Sequence, residues 1–249
     1  SVSVFHANAV MSAIGEQVEK PFQLKLIIRR APAQAALAWL KQAWAIFMQA
    51  PLVWSLVYLH MLGFLLLSML LPPISSFIVA LLMPFLTAGI YKTVVAAQQG
   101  KTISVTGLYQ VFKEKQYRLV FIRLALAELF ASLPLVFMYA LMIEQAEAGE
   151  FSMPLALLFA VWFTLTKMAF AYTVAVAYFL QQYSVLVVMQ ASLVACWRNI
   201  TPLTIYSLLS LLAIMLTMPT FFIGLIVVLP LLHIAFFLSF NEFFALQVK

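Results

Sequence analysis

Six long apolar stretches run along this chain, and nearly all of its cations fall on one side of the membrane those stretches imply. Each stretch has about the 17–25 residues that a helix needs to cross a hydrocarbon core, with some excess for tilt. They read as Pro51–Leu71, Ile74–Ala97, Tyr117–Ile143, Met153–Leu180, Pro202–Met218 and Thr220–Phe244. The apolar runs are continuous rather than alternating, which favours helices over a barrel. Hydrophobic residues make up 65% of the sequence, charged residues 9%, and the mean hydropathy is +1.07. A water-soluble core could not hold that much apolar surface, so the expected solvent is lipid.

The charges orient the chain. Of 14 Lys and Arg residues, all but Arg123 and Lys167 lie near or beyond span ends on one side. Lys20, Lys25, Arg29, Arg30 and Lys41 precede the first span; Lys92, Lys101, Lys113, Lys115 and Arg118 lie at the ends of, or between, the second and third. Arg198 precedes the fifth, and Lys249 is the last residue. The opposite loops hold no Lys or Arg, and the longest carries Glu144, Glu147 and Glu150. The positive-inside rule then predicts both termini in the cytoplasm. Residues 1–32 read as a cytoplasmic segment and 33–249 as one helical membrane domain. No signal peptide is expected, because the first ten residues lack a basic region and a long apolar one.

The net charge of +6 is thus mostly topological, and no basic patch with groove-reading residues points to nucleic acid. The single cysteine, Cys196, excludes an internal disulfide and a cysteine metal cluster. Arg29, Arg30, Lys41, Trp44, Lys113, Lys115, Trp197 and Arg198 form the set expected at the lipid headgroups.

Three segments read as interfacial amphipathic helices. In Ala33–Gln49 the apolar stripe is Ala36, Leu37, Leu40, Trp44 and Phe47. In Val185–Arg198 it is Leu186, Met189, Leu193, Cys196 and Trp197. The weaker Ile103–Gln116 has Leu108, Val111 and Phe112. The segments before the first and fifth spans align: KQAWAIFMQAP ends at Pro51 and SLVACWRNITP at Pro202, each at the first turn of a span, where a missing N–H costs nothing. The following spans carry mid-helix prolines, Pro84 and Pro230, read as helix kinks. The middle third repeats the same order more weakly. The fold class expected is therefore an all-α integral membrane protein of six transmembrane helices, built as three interfacial helices that each feed a hairpin. Helix packing is expected mainly through Ala, Ser and Thr, since no GxxxG motif is present.

The AWAIFMQAP and ACWRNITP junctions and the two proline-bearing spans give the chain a layout that resembles the YciC-like group of bacterial inner-membrane proteins. It is also similar to the membrane domain attached to some glycerophosphodiester phosphodiesterases. The resemblance implies six helices and a bacterial inner membrane, and it carries over no catalytic residue.

Ionisable groups in hydrocarbon cost about 2.5–3.5 kcal/mol each on insertion scales, so each is a candidate for function. His60, Glu128, Lys167 and His233 fall near the middle of their spans, and Arg123 nearer the cytoplasmic end of the third. Glu128 and Lys167 stand at nearly equal distances along the two arms of one antiparallel hairpin, within about one helical turn in depth. A buried ion pair is predicted there, either a structural lock or part of an ion path. Each His is read as a neutral imidazole bonded to a neighbouring helix, or as a proton relay. Thr164 and Lys167 loosely resemble a hydroxyl–lysine dyad, but Glu128 beside the amine would hold it charged. No HExxH, GxSxG, P-loop or dinucleotide pattern occurs, and no metal, cofactor or enzymatic activity is expected. Phe236–Phe244 is read as lipid-facing, with Asn241 and Glu242 at the cytoplasmic interface.

Two functions fit. One is an accessory, assembly or scaffold protein that acts by contact with lipid and with a membrane-protein partner or a second copy of itself. The other is a small transporter or channel using Glu128, Lys167, His60 and His233.

Overall fold

The computed structural model describes residues 24–70 and 72–248. Lys20, Leu71, Lys249 and most of the 1–32 segment lie outside the described residues. Strand β1 (Leu24–Ile28) is followed by helices α1 (Ala35–Gln49), α2 (Pro51–Leu70) and α3 (Ile74–Gln98). A 3-10 segment (Val105–Lys113) leads into α4 (Lys115–Glu147), α5 (Met153–Phe170) and α6 (Thr173–Phe179). Then come α7 (Val185–Arg198), α8 (Ile200–Met215), a 3-10 turn (Met218–Thr220), α9 (Leu225–Phe243) and β2 (Phe244–Val248). The protein is an all-α membrane protein, and six of its helical stretches are long and apolar enough to cross a bilayer. Three interfacial elements each precede one pair of those stretches, in the order the sequence predicts.

The residues at each boundary explain where helices stop. Ala50 breaks α1 and Pro51 opens α2; Asn199 breaks α7 two residues after Trp197 and Ile200 opens α8. Gly100 and Gly149, at φ +69° and +73°, take the left-handed conformation just past α3 and α4. There Lys101 N–H bonds Ala96 C=O at 3.0 Å and Glu150 N–H bonds Gln145 C=O at 2.8 Å, closing each helix end. Ser152 caps α5 by accepting the Leu155 N–H at 3.4 Å.

Several expectations are corrected. The third span is a 33-residue helix, about 50 Å long, so it extends well past the hydrocarbon at its ends. It also runs through Pro134, which the sequence reading passed over. The fourth span is broken at Ala171–Tyr172 between α5 and α6 with no proline nearby. The cause lies on α7. Ser192 Oγ accepts the Tyr172 N–H at 3.0 Å and donates to the Met168 carbonyl at 2.7 Å, standing in for the bond those two groups would otherwise make. The fifth helix ends at Met215 and the sixth begins at Leu225, with a turn between in which Phe221 and Phe222 have positive φ. The segment read as an Ile103–Gln116 helix is the 3-10 element Val105–Lys113, in which Leu108 and Val111 do face inward.

The stripes of the interfacial helices are also rotated. On α1 the inward residues are Ala35, Ala36, Trp39, Ala43, Ile46 and Phe47, while Leu37 and Trp44 face outward. On α7 they are Val188, Ala191, Ser192, Ala195 and Cys196, while Leu186 and Trp197 face outward. Lipid is as apolar as a core, so bulk does not select the inside. Close approach does, and small side chains permit it.

A two-stranded antiparallel ribbon, unanticipated from sequence, pairs Leu24 with Val248 and Ile28 with Phe244. Such a ribbon is marginal alone. Here Arg29 N–H bonds Phe243 C=O at 2.7 Å and Arg198 Nη1 donates to Ile28 C=O at 3.1 Å. Asn199 Oδ1 accepts the Ala31 N–H at 2.7 Å while its Nδ2 donates to Arg29 C=O at 2.9 Å, fixing the segment that follows β1.

The described residues divide into two compact units. The first holds residues 24–63, 90–108 and 194–248 and has an aromatic core. Trp39 meets Phe243 and Tyr206 edge-on at 5.4 and 6.4 Å, Tyr91 stacks on Phe237 at 4.8 Å, and Phe240 meets Phe244 at 5.0 Å. Phe237, Phe240, Phe243 and Phe244 are buried, not lipid-facing, because α1 packs along α9 and covers them. Packing on α9 is thus aromatic rather than small-residue. The second unit holds residues 64–89 and 109–193 and includes the α4–α5 hairpin.

Within the hairpin arms, most burial lies toward one end, the basal end: on α2 at Trp54, Val57 and Tyr58, on α5 at Thr166, Ala169 and Phe170, and on α9 from Pro230 onward. The opposite ends are more open, although Ser75, Val79 and Met138 are buried there. The tips of the first and third hairpins expose Leu70, Ile74 and Phe221 and carry no charge, whereas Glu144, Glu147 and Glu150 sit at the tip of the second.

Candidate functional site

The α4–α5 hairpin brings together the pair that residue spacing predicts. Lys167 Nζ lies 3.9 Å from Glu128 Oε1 and 5.7 Å from the centroid of the Phe163 ring. The arms are held beside the pair by Trp162 Nε1, which donates to the Ala131 carbonyl at 2.9 Å. Enclosure by protein is the part to correct. The Lys167 and Glu128 side chains are 60% and 45% exposed, although Thr166, the neighbour of Lys167, is buried. Among the described residues neither charged group receives or donates a side-chain hydrogen bond. The hydroxyl of Thr164 is committed to the Ala160 carbonyl at 2.8 Å, so no hydroxyl–lysine dyad forms. Arg123 is exposed on α4, five residues nearer its basal end. A side chain of that length extends toward the interface.

The histidines part company. His60 is exposed, and its Nδ1 lies 2.7 Å from the carbonyl of Leu56 on its own helix. His233 is half-buried and packs its ring against Tyr58, centroids 5.4 Å apart. Around that contact the first unit gathers a set of polar aromatics that the sequence reading missed. Tyr206 donates to the Leu232 carbonyl at 2.7 Å, and Trp39 Nε1 donates to the Glu242 carboxylate. Trp54 Nε1, Tyr58 Oη and Asn241 Oδ1 are buried without a hydrogen-bond partner among the described residues. Periodicity could have put Trp54 and Tyr58 on one face of α2; nothing in the sequence says which helix meets that face. Pro84 and Pro230 are both buried inside continuous helices.

The residues read as headgroup contacts are all on the surface. Arg29, Arg30, Lys41, Lys113, Lys115 and Arg198 are exposed, as are Trp44 and Trp197. In the first unit, the Arg198 guanidinium bonds the Ile28 carbonyl next to Arg29, whose own N–H bonds Phe243 C=O at the end of the ribbon. Among the described residues no three His, Cys, Asp or Glu side chains converge. No family model, curated protein or solved structure matches the chain.

Proposed function

We propose that this polytopic membrane protein is not an enzyme and works as an accessory, assembly or scaffold component through contacts with lipid and with membrane protein. The observation that carries this reading is the uneven packing of the arms. Their basal ends are closed around aromatic and small residues, while their far halves present bare apolar surface from Leu59 to Leu70 on α2 and from Phe130 to Phe137 on α4. Surfaces of that kind are covered by acyl chains or by other transmembrane helices. The positive-inside rule puts the cations Arg29, Arg30, Lys41 and Arg198 on the cytoplasmic side, and the YciC-like resemblance supports a bacterial inner membrane.

The transport alternative draws on the polar aromatics around His233. Its four ionisable groups divide into the Glu128–Lys167 pair in one unit and two histidines in the other, of which His60 is exposed and His233 half-buried. The deciding experiment is isolation in mild detergent followed by mass spectrometry of co-purifying protein and lipid. A stoichiometric protein partner, another copy included, supports the contact role. A chain that purifies alone and conducts a flux in liposomes, lost in Glu128→Gln and Lys167→Met, would replace it with transport.

A further inference from the structure

The Glu128–Lys167 pair is an anomaly for a chain in lipid. Both side chains are about half open or more, their separation is 3.9 Å, and neither makes a side-chain hydrogen bond among the described residues. An ammonium has three donors and a carboxylate about four acceptor sites, and hydrocarbon offers neither. Beyond each other and the Phe163 ring, neither charge has a partner among the described residues, so their open sides call for an occupant at that depth.

We infer that the occupant is a second copy of the same hairpin, related by a two-fold axis along the membrane normal. The argument is one of symmetry. Both copies insert in the same direction, so the axis preserves depth and exchanges left for right across the contact. Two opposite charges side by side at one depth on one face then meet their opposites: Glu128 faces Lys167 of the second copy, and Lys167 faces its Glu128. The result is a ring of four alternating charges in which every group has two partners instead of one. A partner with a single charge could satisfy one member of the pair and would leave the other open. This inference rests on the contact role proposed above and names the partner.

The test is charge exchange, read by single-molecule photobleaching in liposomes at high dilution. Wild type should bleach in two steps. Glu128→Lys and Lys167→Glu should each place like charges opposite one another and weaken association at least about tenfold. Mixing those two variants in different colours should restore pairs, now of mixed colour, and the doubly exchanged variant should dimerise like wild type. Restoration on mixing is what a role confined to one chain cannot produce. Should the single variants fail to accumulate, Thr164→Cys, one turn from Lys167, in a Cys196→Ser background should give an oxidative cross-link between copies. Single-step bleaching of wild type at every dilution, unchanged pairing in the single variants, or an absent cross-link overturns the inference. A monomer that still co-purifies with a different stoichiometric protein, or with anionic lipid, removes the second copy and leaves the contact role standing. A monomer without any partner that conducts a Glu128-dependent flux removes both.

Discussion

Tyr58 and Tyr206 belong to the same aromatic core and differ in one hydrogen bond. Tyr206 donates at 2.7 Å to the Leu232 carbonyl, whereas the buried Tyr58 hydroxyl has no acceptor among the described residues. A net hydrogen bond contributes about 0.5–1.5 kcal/mol, and a buried hydroxyl without one is a liability. Tyr206→Phe should therefore lower the thermal midpoint in detergent, and Tyr58→Phe should leave it unchanged or raise it. Asn199 makes a larger claim. Its amide holds Ala31 N–H and Arg29 C=O at once, so Asn199→Ala should cost about 1–3 kcal/mol. It should also open the segment after β1 to limited proteolysis. That asparagine stands beside Arg198 and Trp197, which the sequence reading singled out, and went unremarked because its partners lie some 170 residues away. The depth match of Glu128 and Lys167 was legible because both lie on one hairpin, where counting along two arms suffices.

At the scale of elements, helices that break for a local reason could be read and those that break for a remote one could not. Pro51, Gly100 and Gly149 announce themselves. The interruption between α5 and α6 is caused by a serine on another helix, and no residue inside the fourth span signals it. Ser192→Ala should let Tyr172 N–H return to Met168 C=O and straighten the span. The expected readout is a longer protected stretch across residues 168–176 in hydrogen exchange, with a loss of stability of about 1–3 kcal/mol from the repacking of α7. Ser192→Thr, which keeps the hydroxyl, should preserve the break. The rotated stripes of α1 and α7 have a similar origin. Hydrophobicity separates lipid from water but not lipid from protein, so it marked these helices as two-sided and misjudged which side packs inward.

For the whole molecule, six apolar helical stretches and their order followed from length and continuity alone, the most robust signals a membrane chain offers. The ribbon did not. Five-residue strands at the margins of a helical protein carry no pattern that outweighs their surroundings, and their pairing joins residues 24–28 to residues 244–248. Cysteines placed at the register pair Ile27 and Ala245 should cross-link within one chain under mild oxidation. In a background with Asn199→Ala that cross-link should form more slowly, because the anchoring of β1 is weakened.

The ribbon also imposes an order on biosynthesis. The first unit joins residues 24–63 and 90–108 to residues 194–248, while residues 64–89 and 109–193 of the second are translated in between. At about 5–20 residues per second, β1 emerges on the order of ten seconds or more before its partner strand exists. During that wait α1 has no α9 to lie against, and Trp39 has no Glu242 to bond. The second unit can pack while the ribosome is still working, but the first closes only when the final helix has been delivered.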